Sequence, residues 1–206
     1  MVETRSQRPT GLRCLKSTPW GTHLCQFYKS KDELIDLVAD FLGAGLKEKE
    51  FCVWIVPKGI SIAKASEALE ERIEHFEKYL LLGQIELIAA SRWYYEKNGR
   101  AFNSQRSLKK LVNAYADHMT GPWSGVRAAG DVSEPAMHRS DQKELMAYER
   151  LVHKESAKFS ALWLCTYNIR SCSHQTFKGL VDSHHYSLIR KGLQWEAIQR
   201  NYSLAL

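Results

Sequence analysis

The sequence contains no apolar stretch of the length that a membrane-spanning helix requires. Its 206 residues are 44% hydrophobic and 25% charged, whereas a spanning helix needs about 20 mostly apolar residues in a row. The first residues, MVETRSQRPTGLRCLKS, also lack the continuous apolar core of a signal peptide. We therefore expect a soluble, cytoplasmic chain that does not associate with a membrane.

Cysteine is scarce and irregularly spaced. The five cysteines are Cys14, Cys25, Cys52, Cys165 and Cys172. An odd number without regular spacing does not form the framework of a disulfide-stabilised secreted domain. We expect reduced thiols.

Strong clustering of positive charge is also lacking. The formal net charge is +6, but the excess of base lies mainly in the first sixteen residues and in pairs such as Lys109-Lys110 and Arg190-Lys191. Elsewhere basic and acidic residues are interleaved, as on a solvated surface. Direct binding to nucleic acid, which gains from clustered base, is not expected.

Glycine is missing where a nucleotide-binding α/β protein would need it. A phosphate loop uses glycines to curl backbone amides around phosphate, followed by Lys and Ser or Thr. Here the first apolar segment, THLCQFY, passes through KSKDE into a helical pattern without any glycine. Lys29 and Lys31 alone do not form such a cradle, so a working NTPase is not expected.

Short apolar segments alternate with longer amphipathic ones after Trp20. THLCQFY, FCVWIV, IELIAA, SGVRAAG and SALWLCTY are the apolar segments, and helical patterns cover residues 31–45, 61–81, 103–119 and 141–157. FCVWIV and ALWLC are apolar on both faces, as in parallel sheets covered by helices on each side. This alternation predicts a three-layer α/β/α sandwich with a mainly parallel central sheet.

The ends of the chain read differently from its middle. Residues 1–18 contain breakers and no periodicity, which predicts a flexible lead-in before a single domain over 19–206. The final segment, YSLIRKGLQWEAIQRNYSLAL, predicts a short strand and then an amphipathic helix on Leu193, Ile198 and Tyr202. In the first helical pattern, Ser30 and Glu33 form an S-x-x-E capping box, and Gly43 and Gly45 would end the helix.

Polar residues follow several of the predicted strands. Ligands of parallel α/β proteins bind beyond the carboxyl ends of the strands. Residues that the pattern places at or near these ends are His23, Cys25, Tyr28, Arg127, Asp131, Glu134, Cys165 and Tyr167. They are the first candidates for a binding site.

Glu149 lies on the inward stripe of its predicted helix, four residues after Leu145 and three before Val152. A buried carboxylate needs a partner, and Arg127 is the natural candidate. Such a pair could brace the fold or contact a ligand, and the sequence leaves both possibilities open.

Cysteine and histidine residues offer two other kinds of chemistry. His23, Cys25, Cys165 and His184 could converge as zinc ligands, although His-x-Cys is not a usual zinc spacing. Cys25 could instead be a nucleophile activated by His23, but the sequence supplies neither a third orienting group nor an oxyanion site. Packed thiols beside a hydrogen-bonded histidine are the structural alternative.

Separated motifs together resemble one family. They are His23-x-Cys25, Gly45-Leu46 with Glu50, Arg127 with Gly130-Asp131, Tyr148-Glu149, Cys165-x-Tyr167 and His184. This order and spacing is similar to the MEDS domain, the sensory domain of methanogens, methylotrophs and the regulator DcmR. The similarity extends from about Trp20 to Ile189.

The resemblance implies a RecA/KaiC-like fold without a working phosphate loop, which senses simple hydrocarbon derivatives in prokaryotic signalling or transcription regulation. Such domains are often joined to an output module, and none is evident here, so a signalling protein partner or a homo-oligomer is expected. No cofactor is specified, and the expected sensor is non-enzymatic, with an enzyme kept as an alternative. The predicted ligand-binding residues are His23, Cys25, Tyr28, Arg127, Asp131, Glu149, Cys165, Tyr167 and His184. The alternatives are a Cys/His metalloprotein or enzyme, and a degenerate NTPase fold that serves as an interaction scaffold.

Overall fold

Strands and helices alternate along the chain in the computed structural model, which describes residues 6–95, 102–137 and 139–200. The strands in these ranges are β1 (Gln7–Leu12), β2 (Leu15–Pro19), β3 (His23–Tyr28), β4 (Phe51–Val56), β5 (Ile85–Ala89), β6 (Val126–Asp131), β7 (Ala161–Asn168), β8 (Tyr186–Lys191) and β9 (Gln194–Gln199). The helices are α1 (Lys31–Lys47), α2 (Ile62–Glu70), α3 (Phe76–Leu81), α4 (Ala90–Tyr94), α5 (Ser104–His118), α6 (Ser133–Met137), α7 (Arg139–Ser156) and α8 (His174–Asp182).

Seven strands form one sheet in the spatial order β5-β4-β6-β7-β3-β8-β9. Neighbouring strands run parallel except β8 and β9, which form an antiparallel hairpin. On the α1 face of this sheet, the core contains Leu34 and Phe41 of α1 together with residues of α2 and α3. On the α7 face, Leu145 of α7 and Leu180 of α8 belong to a second core. The predicted three-layer α/β/α sandwich is confirmed.

The central strands are buried on both sides, as their composition predicts. In β7, Leu162 and Leu164 join the core of the α1 face, whereas Trp163 and Cys165 join that of the α7 face. Successive strand residues point to opposite faces, so the parity of a residue on its strand decides which helices it meets. This parity places the polar residues of the sheet in separate groups.

The predicted cap of α1 is present. The Ser30 hydroxyl accepts a hydrogen bond from the Glu33 amide at 3.2 Å, and the Glu33 carboxylate accepts one from the Lys29 amide at 2.7 Å. The helix does not end at its glycines but continues to Lys47. A Cβ atom at Gly45 would lie 2.7 Å from Nε of Arg127, so the glycine makes room for that side chain.

The N-terminal segment differs from the predicted flexible lead-in. Residues 7–19 form the β1–β2 hairpin, in which Thr10, Leu12 and Thr18 are buried. Because a tertiary contact with Arg127 holds two carbonyl groups of this hairpin, local sequence periodicity could not reveal it. Residues 1–5 lie outside the described part of the chain.

The predicted C-terminal strand is present as β8, but the predicted helix after it is wrong for the described residues, because a second strand, β9, takes its place. β8 and β9 pair through Lys191 and Gln194, and Gly192, with a φ of +59°, begins the two-residue turn between them. Glycine at the first position of such a turn is a known hairpin signal. The predicted helix over 61–81 is likewise divided into α2 and α3. Tyr202 lies outside the described residues.

Among the helices of the described residues, none combines the length and the apolar character needed to span a bilayer.

Candidate functional site

Five of the nine predicted site residues meet beneath α7. This buried cluster consists of His23, Glu149, Cys165, Tyr167 and His184, none of which is more than 7% exposed. It extends from the first residue of β3 to a residue near the end of β7. Most of the cluster therefore lies on the face of the sheet and not beyond the carboxyl ends of the strands, where the site was predicted.

Strand register and two helices bring these side chains together. His23 and Cys25 alternate on β3, and Cys165 and Tyr167 alternate on β7, with Cys25 directly beside Cys165. All four point to the α7 face. Glu149 reaches them from α7, and His184 follows α8 just before β8.

The carboxylate of Glu149 lies at the centre of the buried cluster. Its Oε2 atom is 3.3 Å from Nε2 of His23 and 3.2 Å from Nε2 of His184. Its Oε1 atom accepts a hydrogen bond from the Tyr167 hydroxyl. Nε2 of His23 is also 3.2 Å from Sγ of Cys165, and the two imidazole rings lie 3.9 Å apart.

Three polar atoms of the buried cluster have no hydrogen-bond partner among the described residues. They are Oε2 of Glu149, Nε2 of His184 and Nδ1 of His23. Oε2 of Glu149 nevertheless lies 3.2 Å from Nε2 of His184 and 3.3 Å from Nε2 of His23. Unpaired buried polar atoms are rare in folded proteins and call for an explanation.

Burial and mutual contact set the charges of the cluster. Burial lowers the pKa of His23 to about 3, and the nearby His184 adds to this, so His23 is uncharged at neutral pH. Burial also opposes charge on His184, but its contacts with Cys25, Cys165 and Glu149 outweigh burial and raise its pKa well above the ordinary value.

The pKa values of Glu149 and Cys165 shift in opposite directions. Burial disfavours the carboxylate of Glu149, yet its contacts with His184 and His23 outweigh burial and lower its pKa. Burial, with the Glu149 charge next, raises the pKa of Cys165 to about 12. At neutral pH the cluster thus holds an imidazolium–carboxylate pair beside a neutral imidazole and a neutral thiol.

Cys25 lies beside the buried cluster and has its own partner. Its thiol donates to the Ser187 hydroxyl at 3.3 Å. On the same side, His185 accepts a hydrogen bond from the His23 amide through Nδ1 at 3.0 Å, and its ring lies 4.4 Å from that of His153. Ser187 and His153 were missed as neighbours because β8 and α7 contribute them.

A small apolar cavity adjoins the buried cluster at Cys165. Its volume is about 30 Å³, and its walls include Gly130, Tyr94, Tyr148 and Trp163. A cavity needs roughly 10–15 Å³ to hold one water molecule. The space therefore suits a molecule of very few heavy atoms, with apolar walls and one thiol-bearing side.

Tyr28 and Asp131 form a separate group at the carboxyl ends of β3 and β6. This carboxyl-end cluster also includes Ser133 and Thr166. The Asp131 carboxylate accepts hydrogen bonds from Tyr28 at 2.7 Å, from Ser133 at 3.1 Å through both its amide and its hydroxyl, and from Thr166 at 3.1 Å. Burial raises the pKa of Asp131 to about 6 against these hydrogen bonds. The carboxylate is fully engaged with protein donors.

A negatively charged side chain, Glu33, lies at the start of α1, where a phosphate loop would bind phosphate. The Glu33 carboxylate accepts a hydrogen bond from the Lys29 amide. The Lys31 ammonium group donates to the carbonyl of Gly59 at 2.8 Å. An anion at this helix start repels phosphate, which elsewhere uses such free amides.

Arg127 does not pair with Glu149, which corrects the predicted partnership. Arg127 points to the α1 face, where its guanidinium contacts Glu50 at 2.6 and 3.0 Å. It also donates to the carbonyls of Phe41, Pro9 and Thr10 at 2.8, 2.9 and 3.3 Å. We call Arg127 and Glu50 the arginine brace. Glu50 was visible in the sequence as a motif residue, but nothing there showed which acid faces Arg127.

A family model for the MEthanogen/methylotroph, DcmR Sensory domain, MEDS, matches residues 22–185. The chain belongs to the MEDS family. The match includes every residue of the buried cluster, of the carboxyl-end cluster and of the arginine brace. MEDS membership confirms the resemblance inferred from the motifs and supports a sensory role in general.

Two solved structures are similar in fold to this MEDS chain. A KaiC-like protein from the hyperthermophilic archaeon Pyrococcus horikoshii OT3 has a TM-score of 0.64 at 13% identity, over 97% of this chain and 91% of that one. The flagellar accessory protein FlaH from Methanocaldococcus jannaschii has a TM-score of 0.63 at 14% identity, over 92% and 83%. These similarities confirm the RecA/KaiC-like fold of this MEDS chain. No curated protein sequence matches it significantly.

Proposed function

We propose that this MEDS chain is a sensor that binds a very small organic molecule, a simple hydrocarbon derivative, in the cavity beside Cys165. The observation that carries the proposal is the junction of this apolar cavity with the buried cluster, since both share Cys165. Apolar walls with a few convergent polar groups are typical of small-molecule sites.

The hydrogen bonding of the other candidate residues supports a ligand site at the cavity beside Cys165. In the carboxyl-end cluster, Asp131 already accepts from four protein donors, and in the arginine brace the guanidinium is fully paired. In the buried cluster, in contrast, Oε2 of Glu149 and Nε2 of His184 contact each other at 3.2 Å and have no hydrogen-bond partner among the described residues. A polar atom of the ligand gains most where the protein has not already satisfied its own groups.

Ligand binding acts by shifting an equilibrium between two states of the domain. The shift is limited by the difference in ligand affinity between those states. We propose that the changed state is passed to a regulatory protein partner or to a second copy of the chain. Native mass spectrometry with and without ligand tests this step, and an unchanged assembly with every ligand that binds would contradict it.

The binding step is tested by thermal unfolding with methanol, methanethiol, methylamine and dichloromethane. At about ten times its Kd, a ligand stabilises the folded state by about 1.4 kcal/mol, which raises Tm by about 3–6 °C for a chain of this size. An Ala128→Val variant fills part of the cavity and should abolish the shift.

The matched control is Ala39→Val, which adds the same two methyl groups to the core of the opposite face and should keep the shift. If no compound raises the Tm of the wild-type protein, the proposal is wrong. An equal loss of the shift in both variants would place the ligand elsewhere.

A further inference from the structure

Four ligand atoms of metal-binding type converge in the buried cluster. Nitrogens of His23 and His184, an oxygen of Glu149 and the sulfur of Cys165 all lie within 4.8 Å of one another. All four residues are buried. We propose that this group binds one divalent transition-metal ion of the zinc class, through Nε2 of His23 and His184, Oε2 of Glu149 and Sγ of Cys165.

The spacing of the atoms fits a tetrahedral ion. With ligand bonds of about 2.1 Å to nitrogen and oxygen, neighbouring ligand atoms lie about 3.4 Å apart in such a site. The observed separations from Oε2 of Glu149 to the two imidazole nitrogens are 3.3 and 3.2 Å, and that from His23 to the sulfur of Cys165 is 3.2 Å. The other pairs among the four atoms lie within 4.8 Å, so the longest of them must shorten toward this spacing when the ion binds.

The surrounding hydrogen bonds already orient two of the ligands, His184 and Glu149. Nδ1 of His184 lies 2.6 Å from the carbonyl of Leu180, which leaves Nε2 free to bind metal. The Tyr167 hydroxyl holds the other oxygen of Glu149. Partners of this kind fix the ring and carboxylate orientations in metal sites. The unpaired atoms of Glu149 and His184 then have a common explanation, because each faces the position of the ion.

The charges also balance in the buried environment. A divalent ion meets one carboxylate and one thiolate, and Cys165 releases its proton to solvent on binding. His184 releases its proton as well, so the loaded site carries no net charge. Histidine nitrogens with a thiolate favour zinc-class ions over magnesium or calcium, which prefer oxygen ligands.

The ion deepens the proposed sensory function, on which its biological meaning rests, because it lies next to the cavity. The sequence-based prediction included Cys25 among the possible metal ligands. In the structure Cys25 donates a hydrogen bond to Ser187, and Glu149 supplies the fourth ligand atom instead. A bound ion would hold Cys165 in place, and Cys165 forms part of the cavity wall.

Cobalt uptake tests the metal site without any organic ligand. The tag-free chain is purified without chelator, refolded with Co²⁺ alone and dialysed. We expect one ion per chain and a thiolate-to-cobalt absorption band. Refolding gives the ion access to a site that is closed in the folded state. A folded wild-type protein without bound cobalt, or one whose cobalt lacks the thiolate band, would overturn the inference.

Variants locate the ion. Cys165→Ser should remove the thiolate band and weaken binding by more than the roughly 10–100-fold that loss of a partner outside the ligand set costs. Cys52→Ser, which changes a buried cysteine on the opposite face, should leave both unchanged. Retention of the band in Cys165→Ser and its loss in Cys25→Ser would overturn the proposed ligand set.

The two proposals can fail separately. Thermal shifts with organic compounds are measured on metal-loaded and metal-free protein, whereas cobalt binding is measured without organic compounds. A thermal shift in a chain that binds no cobalt removes only the metal. Cobalt binding in a chain that responds to no compound removes only the organic ligand.

Discussion

Two buried charged groups lie on opposite faces of the same sheet, and they differ in how completely their atoms are paired. In the arginine brace, the Arg127 guanidinium contacts both oxygens of Glu50 and three backbone carbonyls. In the buried cluster, Oε2 of Glu149 and Nε2 of His184 form an ion pair at 3.2 Å, but neither atom has a hydrogen-bond partner among the described residues. Full pairing is what structural stability requires, whereas incomplete pairing leaves binding capacity for something else.

The two groups also differ in whether their charge can be removed. A guanidinium stays charged under all ordinary conditions, so the brace depends on its carboxylate. Contacts that include Glu149 hold the pKa of His184 well above its ordinary value, so the imidazolium can lose its proton more readily once that carboxylate is removed. Equal burial therefore does not imply equal sensitivity to mutation.

The largest expected effect follows from breaking the brace. Glu50→Gln leaves the Arg127 charge buried without a carboxylate, which should lower the free energy of unfolding by about 3–5 kcal/mol. Urea denaturation measures this loss. A loss below about 1 kcal/mol, within the range of exposed ion pairs, would show that the brace is not a stabilising element.

The carboxyl-end cluster differs from both groups because the stability that it contributes is expected to depend on pH. The folded-state pKa of Asp131 is raised from 3.8 to about 6, so the folded chain binds more protons than the unfolded chain between these values. The stability due to this group is complete below the lower value and is lost as pH rises through the upper one. Its size is on the order of 3 kcal/mol.

The measurement compares the wild type with Asp131→Asn. The difference in unfolding free energy, wild type minus variant, should decrease as pH rises from about 4 to about 7. Subtracting the variant removes the contributions of all other titrating groups. A difference that stays constant or increases over this interval would contradict the raised pKa.

The smallest effect on stability is expected in the buried cluster. Glu149→Gln removes the partner of the His184 charge, but His184 can then lose its proton. The expected loss is about 1–3 kcal/mol, the cost of an unsatisfied buried polar group. Urea denaturation of Glu149→Gln and Glu50→Gln compares the two losses of unfolding free energy. A larger loss in Glu149→Gln than in Glu50→Gln would contradict the expected order.

The general architecture could be predicted because its signals are local. The alternation of apolar and amphipathic segments predicts the layers, and Ser30 with Glu33 predicts the start of α1, as the structure confirms. The N-terminal hairpin depends on Arg127, which is distant in sequence. Gly192 did signal the C-terminal hairpin, but the helical periodicity of Leu193 and Ile198 pointed the other way.

The candidate site could be predicted only in part. Period-two alternation correctly grouped His23 with Cys25 and Cys165 with Tyr167. It could not assign Arg127 to a face, because β6 is buried on both sides and a shift of one residue reverses every side chain. Glu149 was therefore recognised as a buried acid, while its partners depended on strand order and on the segment after α8.

The central claim is that the sensed molecule binds in the cavity beside Cys165, next to the buried cluster, and does not bind at the arginine brace. The most direct test measures the Tm shift caused by an active small compound in the wild type, in Glu50→Gln and in Glu149→Gln. The account predicts a wild-type shift in Glu50→Gln, from its lower starting Tm, and no shift in Glu149→Gln. An undiminished shift in Glu149→Gln, or a loss confined to Glu50→Gln, would contradict it.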